Sequence, residues 1–146
     1  MLKKAILFDL DGTLLPMNTK EFISIYFKLL GKRMVVHGYD LEKFKKGMWE
    51  GVEAAIRNDG TMHNEERFWS VLNGIMGKDC REDSLIFEEF YHNEYHQAKE
   101  VCGFNPLAAE AVMLAREKAE KVILATSPLY PPIAIEGRLS WAGLSP

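Results

Sequence analysis

Ala5-Ile6-Leu7-Phe8-Asp9-Leu10-Asp11-Gly12-Thr13-Leu14-Leu15 opens the chain with a short apolar run that stops at two carboxylates. The run follows Lys3 and Lys4 and reads as a buried strand ending at Phe8. Asp9 and Asp11 are two positions apart, and side chains in a strand repeat every two residues. Both acids therefore project to one side while the extended geometry lasts. Gly12 lets the backbone turn sharply and approach a ligand closely. Convergent acids, open backbone amides and a hydroxyl at a strand's end suit a site for Mg²⁺ and phosphate. Asp and Gly are also ordinary turn residues. The strand pattern before them and their place near the start of the chain favour the site.

Such a site has a chemistry that needs these residue types. A carboxylate attacks phosphorus and forms an acyl-phosphate, which splits one hard step into two. A second carboxyl protonates the departing alcohol and later takes a proton from the hydrolytic water. The same acids attract a hard cation that offsets phosphate charge.

Phe8-Asp9-Leu10-Asp11-Gly12-Thr13-Leu14 resembles the first motif of the haloacid dehalogenase superfamily, DxDGT followed by apolar residues. The resemblance implies that Asp9 is the nucleophile and a Mg²⁺ ligand. It implies that Asp11 is the general acid/base, with its backbone carbonyl as a second metal ligand. An acid at the second position implies phosphoryl transfer rather than carbon–halogen cleavage.

Farther along, Val122-Ile123-Leu124-Ala125-Thr126 is a β-rich apolar run ending in a hydroxyl, and Pro128 forces Ser127 toward extended backbone. This run resembles the superfamily's second motif. The resemblance implies that Thr126 and the Ser127 amide hold a phosphate oxygen, together with amides near Leu10 and Gly12. A hydroxyl and free amides at the carboxyl end of a parallel strand cradle an anion.

Between the two strands the periodicity is helical. Phe22, Ile25, Tyr26 and Leu29 define a first helix over about 19–32, with Thr19 as cap and Gly31 as terminator. Asp40 starts a second helix, Asn64 a third and Ser84 a fourth that carries Phe87, Phe90, Tyr91 and Tyr95. Asn105-Pro106 opens a further helix, and Pro131-Pro132 the last one. The expected fold class is α/β: a Rossmann-like core with an incomplete parallel sheet and an inserted helical cap. Residues 1–15 and 101–146 form the partial core and 16–100 the cap, which the resemblance likens to a C1-type cap. His92 and His96, four apart, suggest a polar cap face more than a metal pair.

Net charge is −3 over 146 residues, which gives no sign of a nucleic-acid surface. No apolar stretch is long enough for a membrane span or a signal core. The two cysteines, Cys80 and Cys102, lack metal or redox spacing and point to a reducing cytoplasm.

The expected function is Mg²⁺-dependent hydrolysis of a small phosphorylated metabolite through an aspartyl-phosphate. The family's later motifs, a lysine and an acidic pair, have no counterpart before Pro146. A truncated chain, inactive alone and prone to self-association through exposed sheet edges, is therefore expected. The alternative is a degenerate, non-catalytic interaction protein. Another reaction of the same superfamily, such as a phosphomutase or phosphonate hydrolase, is a further rival.

Overall fold

A computed structural model describes residues 2–146. In chain order the elements are β1 (Ile6–Phe8), α1 (Thr19–Val36), α2 (Leu41–Ile56), α3 (Asn64–Met76), a 3-10 turn (Cys80–Asp83), α4 (Ser84–His92), a longer 3-10 segment (Glu94–Val101), α5 (Leu107–Lys118), β2 (Val122–Leu124) and α6 (Pro132–Trp141). They divide into two compact units, Met1–Ser24 with His96–Pro146, and Ile25–Tyr95. The division falls inside α1, so Thr19–Ser24 lies with the two strands rather than with the helical insert.

The Rossmann-like α/β class expected from the sequence does not form. The described residues are mostly helical, and their only sheet is one parallel pair of three-residue strands. The physical reason is width. Two strands this short make a single ladder with no central strand, so there is no sheet layer for helices to cover on both faces. Leu7 and Ile123 face each other in register on the same side of the pair, 60% and 42% exposed.

The first unit packs around this pair. Leu10, Leu14 and Leu15 bury the loop after β1, and Ala108, Ala115, Leu139 and Trp141 bury the inner faces of α5 and α6. Phe22 meets Tyr130 and Trp141 edge-on, with ring centroids 6.1 and 6.5 Å apart. A backbone bond from Gly103 to the Pro16 carbonyl, 2.6 Å, ties the two segments of the unit together.

The second unit is helical throughout. Asp40 caps α2 by accepting from the Lys43 amide at 2.8 Å. The α2–α3 contact is close because α2 presents glycines to it. A Cβ on Gly47 would stand 2.6 Å from Leu72 Cδ1, and one on Gly51 2.8 Å from Phe68 Cδ2. Tyr26 and Tyr91 share a buried hydrogen bond of 2.7 Å, with Phe90 and Tyr95 packed edge-on around them. Arg33 of α1 pairs with Glu89 and, at 2.9 Å, with Glu94.

Local readings differ at three places. Gly31 does not end α1; it is buried mid-helix, 3.0 Å from Leu41 Cδ1 at its would-be Cβ, and the helix continues to Val36. Asn18 rather than Thr19 caps α1, its Oδ1 accepting from the Lys20 and Glu21 amides at 3.0 and 3.2 Å. The fourth helix stops at His92, where Asn93 turns the chain by donating to the Glu89 carbonyl at 2.7 Å. Tyr95 and His96 therefore lie in the following 3-10 segment. No helix among the described residues is long and apolar enough to cross a membrane.

Candidate phosphoryl site

The loop after β1 is fixed from beneath by apolar side chains and from within by its backbone. The Leu10 carbonyl accepts from the Thr13 amide at 3.1 Å and from the Leu15 amide at 2.9 Å, and Gly12 donates to the Leu15 carbonyl at 2.8 Å. Gly12 has φ of 81°, a left-handed conformation that an L side chain adopts only under strain. With Leu10, Leu14 and Leu15 buried, the same loop leaves Asp9, Gly12 and Thr13 at the surface. Asp9 Oδ2 accepts from the Thr13 hydroxyl at 2.8 Å, which holds the carboxylate in one orientation.

The parallel register brings the second motif alongside. Ile6 pairs with Val122 and Phe8 with Leu124, and the Ala125 amide donates to the Phe8 carbonyl at 2.7 Å. Asp9 and Thr126 follow just past the last rungs, at the carboxyl ends of their strands. Thr126 is half-buried and Ser127 exposed.

The amides do not all stand open as expected. The Gly12 amide is committed to Leu15 and is not available to an anion. The amides of Leu10 and Ser127 donate to no oxygen among the described residues.

Asp11 has a partner that periodicity did not reveal. Its Oδ1 accepts from Arg138 Nε at 2.8 Å. Arg138 comes from α6, is fully buried, and donates through Nη1 to the Ala134 carbonyl at 3.3 Å. Its guanidinium carbon lies 4.4 Å from the centroid of the Tyr130 ring and 5.5 Å from that of Phe22. The Asp11 side chain keeps 24% of its surface exposed. The sequence did carry a signal: Arg138 shares the α6 face of Ala134, Leu139 and Trp141, where a charge is out of place unless paired.

The donor set fits one hard divalent cation only loosely. Among the described residues no group of three or more His, Cys, Asp or Glu side chains converges. Asp9 offers one carboxylate, and the Asp11 side chain is engaged by Arg138. That suits Mg²⁺, which commonly takes one or two carboxylates and completes its shell with phosphate oxygens and water.

The remaining candidates have other roles. Burial raises the Cys102 thiol and the Tyr130 phenol above their ordinary values, so neither is an activated nucleophile at neutral pH. His92 lies 3.9 Å from Glu88 on α4, while His96 packs its ring on Trp141 at 6.0 Å. No family model, no curated protein and no solved structure matches the chain.

Proposed function

We propose that the Asp9/Asp11 loop is a Mg²⁺-dependent phosphoryl-transfer site that hydrolyses a small phosphomonoester, with the chemistry of the haloacid dehalogenase superfamily whose first motif it resembles. The observation that carries this reading is the parallel register of β1 and β2. It supports a single site built from the residues after Phe8 and the residues after Leu124.

In this reading the Asp9 carboxylate, aimed by Thr13, attacks phosphorus and becomes an aspartyl-phosphate. Asp11 gives a proton to the departing alcohol, then takes one from the water that cleaves the acyl-phosphate. Thr126 and the amides of Leu10 and Ser127 hold the non-bridging oxygens. Mg²⁺, when bound through Asp9 and the Asp11 carbonyl, offsets phosphate charge. The two free thiols fit a protein of the reducing cytoplasm.

Beryllofluoride, which mimics an aspartyl-bound phosphoryl group, provides the test. ¹⁹F NMR of the chain with Mg²⁺ and beryllofluoride should show protein-bound fluorine signals. Asp9→Asn should remove them while the thermal midpoint stays put, because the Asp9 side chain is exposed and is held by the Thr13 hydroxyl alone among the described residues. Absence of bound signals in the parent chain excludes the reading. It would favour the second one, a non-catalytic interaction protein, to which the exposed apolar pair Leu7 and Ile123 gives its own support.

A further inference from the structure

The site described above has an electrostatic difficulty. Two carboxylates stand two residues apart at one strand end, and the proposed ligand adds more negative charge. Negative charge already at the site opposes the approach of a further anion. The structure brings a cation from elsewhere in the chain: Arg138 Nε meets Asp11 Oδ1 at 2.8 Å.

We propose that Arg138 is a positioning residue for phosphoryl transfer: it orients the Asp11 carboxyl and offsets the charge that this group carries once its proton has passed to the leaving alcohol, while the phosphoryl group is held on Asp9. The inference rests on the phosphoryl-transfer reading and deepens it.

Three features make Arg138 suited to this. It is fully buried, so water does not screen its charge. Its planar head is held by the Ala134 carbonyl and stacked near Tyr130, which fixes the direction of the Nε–H bond. It approaches Asp11 through Oδ1, and the Asp11 side chain stays partly exposed, which allows proton exchange with a leaving group or water. Arg138 thus acts through Asp11 and is not given contact with the substrate.

A double-mutant cycle on the full chain tests this, read by the affinity for Mg²⁺ and beryllofluoride in ¹⁹F NMR. Arg138→Met should weaken capture by about tenfold or more, because an unpaired carboxylate then repels the fluoride-bearing anion. In a chain already carrying Asp11→Asn, the same Arg138→Met change should cost little, since no charge remains to offset. That second comparison also covers poor folding of the single variant, because a neutral amide opposite methionine leaves no buried unpaired charge. Arg138→Lys should recover part of the affinity lost in Arg138→Met.

Equal losses from Arg138→Met in both backgrounds would assign Arg138 a purely structural part and overturn the proposal. Undiminished capture by Arg138→Met would overturn it as well. Either result leaves the phosphoryl reading standing. Failure of the parent chain to capture beryllofluoride removes that reading and this inference together.

Discussion

Arg138 and Asp11 form a 2.8 Å ion pair across 127 positions of sequence, and only the acid reaches solvent. The pair joins the loop after β1 to the middle of α6. Truncating its acid removes the carboxylate that balances a fully buried guanidinium. Asp11→Ala should therefore destabilise the first unit by about 3 kcal/mol, at the lower end for breaking a buried pair because Asp11 is partly exposed. Chemical denaturation followed by tryptophan fluorescence measures this, since Trp141 lies in the same unit. A loss no larger than that of an ordinary surface substitution would mean that the pair contributes little.

Gly12 is the hinge of the same loop. Its φ of 81° is left-handed, yet nothing lies within 4 Å of the Cβ it lacks. The cost of Gly12→Ala is thus backbone strain rather than collision, about 1–2 kcal/mol. The loop can also relax by giving up the Gly12–Leu15 bond, which would turn Asp11 away from Arg138. Equilibrium unfolding and beryllofluoride affinity should both fall in this variant. Unchanged affinity would show that the turn holds without glycine.

The parts of this site that lie within a few residues of one another were legible in the sequence. The apolar run before Asp9, the spacing of Asp9 and Asp11, and the break at Gly12 are local patterns, and so is the run before Thr126. Arg138 was not legible as a partner because periodicity measures one helix at a time, and its acid sits at the other end of the chain. The fold class failed for a related reason. Two strand-like runs reveal where strands form but not how many neighbours each has, and here each has one. Gly31 was misjudged because a glycine that admits a neighbouring helix is indistinguishable, in sequence, from one that ends its own.

The second unit carries its own pH dependence. Hydrogen bonds from Arg81, through its side chain and its amide, with a further one from Asn73, bring the Asp79 carboxyl down to about 2. The Lys78 ammonium and the Tyr39 hydroxyl likewise lower Asp83. An unfolded aspartate titrates at about 3.9. Folded chains with a lowered carboxyl bind fewer protons than unfolded ones, so stability is full above that value and declines as pH falls toward about 2. Asp79→Asn should flatten this acid limb and leave stability near pH 7 less affected by further acidification. Thermal midpoints recorded across the acid range would decide; parallel curves for the parent and the variant would mean that Asp79 does not drive the loss.

Leu7 and Ile123 present the clearest opening for association. They are register partners on one face of the β1–β2 pair, and both are largely exposed. A two-strand sheet also has two outer edges whose backbone groups have no strand beside them. Apolar surface of this kind gains by leaving water, at about 25 cal/mol for each Å² covered. The chain should self-associate with rising concentration, and Leu7→Lys should shift it toward monomer, because a charge on that face must be desolvated to dock. The substitution touches a side chain already in solvent, so the thermal midpoint at low concentration should hardly move. Sedimentation velocity over a concentration series separates the outcomes. A parent chain that stays monomeric throughout would show that this face does not drive pairing, and an associating Leu7→Lys chain would move the contact to another surface.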